Sequence, residues 1–433
     1  MNNIKVVYSK WYTYNNKQYP FPNGTSDRIV EFTKGLAPTS EFDRFAELES
    51  RYYHNEPAFG YYFRNSNFYL HCKKNNVEMV PKVTDEAVYY YPVEIEGNTI
   101  QFVTTDDFVN TIDNDTLEHL KNGRVILLLA NMVDPALEPR ILEDVELFFS
   151  KLGITRITSL QGNIRYDADT SITQIDSSLA LYQTANEMDR YPYNSMLGYV
   201  SDYLRETELT DQLRPMKFLS FNRFMDRCHR TGLAYLTLKH NLLPDGYFTF
   251  LCNPKDDYEG RLAQLELPTD IFADAIRSMV PREIDTKHLD RAELATFFTV
   301  INYRKDLYQN SYIHIVTETQ FEQNTSPFMS EKTFRPILNL QPFIMLGNAR
   351  TLNTLRILGF KTFHPFIDES YDNELDPVKR FAMIAEEIKK LGSMSIEEIH
   401  EWFLSIKDTL IFNQQLLYSY RNYNPICNLQ KLN

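Results

Sequence analysis

The sequence predicts an α/β chain in two halves of alternating strands and helices, preceded by a strand-rich stretch. Three observations carry this expectation. Val125 to Ala130 is a continuous apolar run, the pattern of a strand buried on both faces. Helical spacing over 139–151 and a second strand follow it, which makes a βαβ unit and hence a parallel sheet. The alternation breaks at Arg214-Pro215 and restarts at Met216. A chain of 433 residues also exceeds one ordinary core, so two domains are the natural expectation.

Each element has its own signal. Residues 1 to about 100 cluster β-branched and aromatic residues, as in Ile4 to Ser9, Tyr61-Tyr62-Phe63 and Val88 to Tyr91, and read as strands whose tyrosines pack in sheets. Pro139 to Lys151 carries Ile141, Leu142, Val145, Phe148 and Phe149 at helical spacing, and Gly153 closes it. Ile154 to Leu160 is a strand. Ser195 to Glu208 reads as a helix. In the second half, Lys217 to Phe221, Tyr247 to Leu251 and Tyr312 to Val316 are strands, and Asp226 to Lys239 is a helix. Pro342 to Gly347 is a further strand, Thr351 to Leu358 a short helix closed by Gly359, and Phe360 to Phe363 a strand. Residues 377–420 read as helices with charged outer faces. No internal repeat is visible.

Charge and cysteines narrow the function classes. The net charge of −13 repels a polyanion on average and argues against a large nucleic-acid footprint. The densest basic cluster, Arg223, Arg227, His229 and Arg230, is short. Cys72, Cys228, Cys252 and Cys427 are scattered without a CxxC pair, which argues against a structural zinc site and a disulfide framework. Met1 to Tyr14 lacks an apolar export core, and no apolar run reaches spanning length, so a cytoplasmic protein is expected.

The segment richest in ligand chemistry is Thr317-Glu318, then Ser330-Glu331-Lys332-Thr333. It reads as a strand end, a loop and a helix entrance. A helix N-terminus offers free N–H groups and a positive dipole, which suit a phosphate, and Lys332 adds a mobile cation. Carboxylates of Glu318 and Glu331 can hold sugar hydroxyls. Alone, the triplet reads as the N-cap Ser330, a dipole-complementing Glu331 and a solvated Lys332. It does not complete a capping box, because the third residue after Ser330 is Thr333. A second group, Ser220-Phe221-Asn222-Arg223 with His229-Arg230, ends the first strand of the second half and begins the next helix. Ligands of open parallel sheets bind beyond the carboxyl ends of the strands, and Arg gives permanently charged phosphate contacts. His229 reads equally as a satisfied, partly buried histidine. In the first half, Asp134 lies just past the strand 124–130, near Gln161, Gly162 and Asn163. It reads as a turn residue before Pro135 or as a general base. Asp113-Asn114-Asp115 and Asp167-Ala168-Asp169 have the Asp-x-Asp form of a metal site but do not end apolar strands, and read as loop acids. No Walker loop, GxGxxG or Ser-hydrolase elbow occurs.

Taken in order, Glu318, the Ser-Glu-Lys triplet, Pro342 to Gly347, Gly359-Phe360-Lys361-Thr362-Phe363 and Asp368-Glu369-Ser370-Tyr371-Asp372 resemble the donor domain of GT-B glycosyltransferases. The resemblance is to the α1,3-fucosyltransferase-like group and to related transferase-like proteins of large bacteriophages, and covers about residues 216–420. It implies two Rossmann-like domains facing a cleft. Residues 1–214 would form the acceptor side (strand-rich 1–100, Rossmann-like 101–214), and 215–433 the nucleotide-sugar donor domain with C-terminal helices. It further implies that Lys332 meets the donor diphosphate, Glu331 the ribose and Glu318 the transferred sugar, with Ser220, Asn222, Arg223, Arg230 and Ser330 completing the donor site. Asp134 and Glu318 would be the catalytic carboxylates. The chain has Val316-Thr317-Glu318-Thr319 where the fucosyltransferases have Phe-Glu-Asn-Ser, so the donor sugar stays open. Metal is not expected, and the co-substrate is a nucleotide-diphosphate sugar. The acceptor is a saccharide hydroxyl or a hydroxymethylated nucleobase in DNA, in host cytoplasm if the protein is viral. A non-catalytic binding protein on the same fold is the rival from another class.

Overall fold

The computed structural model describes residues 4–7, 11–14, 17–20, 72, 77–80, 82–95, 103–110, 112–131, 139–161, 169–176, 209–222, 227–250, 255–279, 305–322, 327–420 and 429. Several sequence expectations lie outside them: Tyr61-Tyr62-Phe63, Asp134, Gly162, Asn163, Asp167-Ala168, 195–208, Arg223 and the side chain of Glu331. The chain divides into two compact units. One comprises Met1–Tyr182, Asn186–Gly198 and Asn422–Asn433; the other comprises Gln183–Ala185 and Tyr199–Arg421.

The first unit is built on a six-stranded sheet of β1 (Ile4–Val7), β4 (Glu78–Val80), β5 (Val88–Ile95), β6 (Val125–Asn131), β7 (Ile157–Gln161) and β8 (Thr173–Asp176). Its order is β4-β1-β5-β6-β7-β8, and every pairing is parallel. The described strands of the strand-rich start, β1, β4 and β5, thus share one sheet with β6–β8. The sequence did not reveal this because parallel partners are joined through long crossovers and leave no local pairing signal. Among the described residues, only β2 (Trp11–Tyr14) and β3 (Lys17–Pro20) form an antiparallel hairpin.

The apolar run of β6 is buried along its length, and alternate residues serve opposite faces. Leu127 and Leu129 join Tyr89, Tyr91 and Val93 on one face; Ile126, Leu128 and Ala130 join Ile4, Val6, Tyr90 and Leu429 on the other. Helix α1 (Asn114–Lys121) precedes β6, and helix α2 (Pro139–Lys151) crosses from β6 to β7, burying Leu142, Val145 and Phe149. Gly153 follows with φ +81°, the left-handed geometry a glycine closure needs.

The second unit carries a four-stranded parallel sheet of β9 (Met216–Ser220), β10 (Gly246–Phe248), β11 (Ser311–Thr317) and β12 (Phe343–Leu346), in the order β10-β9-β11-β12. The chain leaves β9 for β10 on one side and returns to β11 on the other. The winding thus reverses between β9 and β11, and the crevice beyond their carboxyl ends is the topological switch point. Helix α3 (Cys228–Lys239) follows β9, α4 (Glu331–Leu338) joins β11 to β12, and α5 (Thr351–Ile357) follows β12. Helices α6 (Pro377–Ser393), α7 (Ile396–Ser405) and α8 (Lys407–Ser419) follow. Helix α3 is buried from Cys228 to Thr237, and Gly232 lets it approach α6. A Cβ there would lie 2.5 Å from the ring of Phe381.

Residues 360–363 depart from the expected strand. Their backbone donors go to side chains, Lys361 N–H to Asn413 Oδ1 at 2.8 Å and Phe363 N–H to Glu369 Oε1 at 2.6 Å. Among the described residues, no helix is long and apolar enough to cross a membrane. The molecule is thus an α/β protein with two Rossmann-like units.

Candidate functional site

Strand ends and helix starts bring most of the predicted residues to one place. Ser220 closes β9 and donates its hydroxyl to the Ile315 carbonyl of β11 at 2.8 Å. Asn222 lies just beyond. Its amide donates to Ser220 Oγ at 3.1 Å, and its Oδ1 accepts from the Thr317 hydroxyl at 2.7 Å. These buried groups stitch the carboxyl ends of β9 and β11 across the switch point. They satisfy one another, as buried polar groups must.

Glu318 follows Thr317 and is fully buried, at 0% exposure. Its Oε1 accepts from the backbone N–H groups of Ser330 and Thr333 at 3.0 and 3.1 Å, and from the Thr333 hydroxyl at 2.5 Å. Its Oε2 accepts from Ser330 Oγ at 2.7 Å and Thr319 N–H at 3.2 Å. The carboxylate thus sits on the N-terminus of α4. It takes the part that a glutamate three residues after the cap plays in a capping box, but reaches in from the end of a strand. Ser330 itself caps α4, accepting from Lys332 N–H at 3.3 Å. The helix start read from sequence as offering free N–H groups to a phosphate is therefore filled from within. Lys332 remains there, half-buried, with its ammonium 3.2 Å from Ser330 Oγ and 3.3 Å from Thr319 Oγ1.

Helix α3 completes the site from the other side. His229 is fully buried and its Nε2 lies 2.9 Å from the Glu318 carbonyl. A carbonyl only accepts, so Nε2 carries the hydrogen; Nδ1 has no partner. Burial, with Arg230, Arg227 and Arg380 nearby, holds the imidazole neutral, far below the ordinary histidine range. Its ring stacks on Phe321 at 4.9 Å, and the Arg380 guanidinium also packs on Phe321, at 4.7 Å. Arg230 is buried beside it and donates to the carbonyls of Thr317 and Glu318 at 3.4 and 3.3 Å.

The structure therefore gathers Ser220, Asn222, Arg230, Glu318, Ser330 and Lys332 at one sheet edge. Thr317, Thr333 and Phe321 belong with them and have no motif of their own in the sequence. The failed capping box at Thr333 was the available hint, because an uncompleted N-terminus asks for an acceptor from elsewhere. The other resembling segment is scaffold. Asp372 accepts from Leu352 and Asn353 N–H at 2.8 Å each and caps α5; burial raises its pKa. Glu369 binds Thr362 and Arg356 at 2.7 and 2.6 Å. Asp113 of the first Asp-x-Asp is the N-cap of α1, accepting from Thr116 N–H and Oγ1 at 2.9 Å each. Among the described residues, no three His, Cys, Asp or Glu side chains gather as metal ligands do.

No protein-family model and no curated protein matches the chain. Among solved structures, the trehalose-6-phosphate synthase OtsA aligns with a TM-score of 0.34 at 11% identity, covering 99% of this chain and 89% of that one. The N-terminal domain of Candida albicans trehalose-6-phosphate phosphatase aligns with a TM-score of 0.35 at 11% identity, covering 92% and 82%. Both likenesses are distant; strand order and register establish the fold.

Proposed function

We propose that the chain is a glycosyltransferase that moves a sugar from a nucleotide-diphosphate sugar to a hydroxyl acceptor. The observation that carries this reading is the meeting of Ser220, Asn222, Arg230, Glu318 and Lys332 at the switch point of the second sheet, the place where α/β proteins take nucleotides. The resemblance of these segments to a donor domain gives the ligand class. Lys332 supplies the cation for the diphosphate, with Arg223, Arg230, Asn222 and Ser220 in the same donor site and Glu331 toward the ribose. In the reaction the acceptor oxygen forms a bond to the anomeric carbon and the bond from that carbon to the diphosphate breaks. The charge on the departing diphosphate is offset by Lys332. Asp134 takes the acceptor proton. Glu318 serves by position, because its carboxylate oxygens are occupied by donors of the loop and helix.

The test is thermal unfolding and titration calorimetry with UDP, GDP, ADP and their sugars, wild type beside Lys332→Ala. One nucleotide should stabilise the wild type selectively. Loss of the ammonium should weaken it by about 10–100-fold, the range for a hydrogen bond to a charged group, with the fold intact. If no nucleotide or nucleotide sugar binds the wild type, the reading is wrong.

A further inference from the structure

Glu318 is unusual in how completely it is used. Its N–H donates to the Leu346 carbonyl at 2.9 Å, which extends the β11–β12 pairing. Its carbonyl takes His229 and Arg230 from the start of α3. Its carboxylate takes Ser330, Thr333 and Thr319 at the start of α4. One residue thus holds the two helix starts that flank the switch point, through its main chain on one side and its side chain on the other. A fully buried carboxylate of this kind has no alternative partner in solvent, so displacing its main chain withdraws the side chain from α4 as well. No other residue at this edge bonds to both helix starts among the contacts described above.

We infer that Glu318 is a positioning residue that couples the start of α3 to the start of α4, with His229 as its anchor on the α3 side. The inference deepens the donor-site reading, and rests on it only for its consequence. Through the coupling, Lys332 on α4 and Arg230 on α3 are presented to one ligand as a single rigid set. The coupling itself needs no ligand to be tested.

His229 and Thr333 share Glu318 as a partner and have no contact with each other among the bonds described. They therefore make a clean pair. His229→Phe keeps a ring to stack on Phe321 but deletes the donor to the Glu318 carbonyl. His229→Gln keeps a donor at the Nε2 position. Thr333→Val deletes the hydroxyl donor on the α4 side with little change of shape. Amide hydrogen exchange of ligand-free protein is read at Ser330 and Thr333, against the core strand amides of Ile313 to Val316. His229→Phe should speed exchange at Ser330 and Thr333 by about tenfold, the worth of one buried hydrogen bond, while the strand amides hold. His229→Gln should restore wild-type protection. In a double-mutant cycle, His229→Phe and Thr333→Val should be less than additive in unfolding free energy, because each weakens the same lock. Unchanged exchange at the α4 start, uniform acceleration throughout the second unit, or strict additivity would each overturn the inference. Should His229→Phe fail to fold, Thr333→Val and His229→Gln are read alone. Faster exchange at Ser330 in Thr333→Val, with wild-type protection there in His229→Gln, then supports the coupling, and no change at Ser330 in Thr333→Val overturns it. Failure of every nucleotide to bind would leave these results standing and remove only the donor-site reading.

Discussion

In the first unit β1 stands between β4 and β5; in the second, β9 stands in the same way between β10 and β11. Both sheets are parallel and both reverse their winding beside their first strand. Among the described side chains, their edges differ at that point. The last described side chains of the strands flanking the first reversal are the buried, apolar Val7 and Val93. The strands flanking the second end in buried Ser220, Thr317 and Glu318, bonded across the gap and to two helix starts. Equal topology creates two crevices. The described strand-end side chains distinguish them, because polar groups endure burial only where partners are built around them.

The largest effect that would break this contrast is Glu318→Ala. It strands two backbone donors and two hydroxyls at the start of α4, and should cost the second unit about 4 kcal/mol. Val7→Ala, at the matching edge of the first unit, removes only apolar contact and should cost about 2 kcal/mol. Urea unfolding reads the second unit in a Trp11→Phe background, where Trp402 is the one tryptophan left, and the first unit in a Trp402→Phe background, where Trp11 is. Equal costs at the two edges would erase the distinction.

Next comes Gly232→Ala on α3, whose new methyl meets Phe381 at 2.5 Å and Leu265 at 2.6 Å. Overpacking there should cost about 2 kcal/mol, seen in the same unfolding curve. A neutral substitution would mean that α3 and α6 separate readily and hold the site less firmly than the packing implies.

Acid sharpens the contrast. In the second unit His229 is held far below its usual range, and burial brings His314 from 6.5 to about 3. The unfolded chain takes up these protons below about pH 6.5 while the folded chain does not, so stability is lost as pH falls through that value. Each histidine contributes about 1.4 kcal/mol per pH unit. Among the described groups of the first unit the lowered ones are carboxylates, Asp85 brought to about 2 and Glu146 lowered from 4.5, so their loss begins only as pH falls into the ordinary carboxylate range, about 4. The second unit should therefore melt first between pH 6 and about 4.5, followed by Trp402 fluorescence. His314→Phe should remove one histidine's share of the slope. An unchanged slope would show that His314 takes no part.

The smallest expected effect is Asp113→Ala, which removes the cap of α1 and should cost the first unit about 1 kcal/mol. Addition of magnesium should leave the melting temperature of the wild type unchanged; a shift abolished by this substitution would restore the metal reading of Asp113-Asn114-Asp115.

Much of the scaffold was legible because its signals are short-range. The β6 run, the helix Pro139–Lys151 with its glycine closure, and Gly359 at φ +92° after α5 follow from periodicity and from glycine's access to left-handed backbone. The site was legible in part. Ser220, Asn222, Arg230, Glu318 and Lys332 were visible as polar residues at strand ends and helix starts. The false strand at 360–363 has the residue pattern of one, but its backbone donors go to side chains, one to Glu369 in the next turn of chain and one to the distant Asn413.

By itself, then, the sequence determined the α/β class, the positions of most strands and helices, and the residue types that gather at the second sheet's edge. Periods of two and 3.6 residues and local capping chemistry suffice for that. Only the tertiary structure decided that β9 lies between β10 and β11, that β1, β4 and β5 share one sheet with β6–β8, and that Glu318 closes α4 across twelve residues of chain. Those outcomes depend on which distant backbones pair and which buried groups find partners, and a nearest-neighbour pattern carries no record of either.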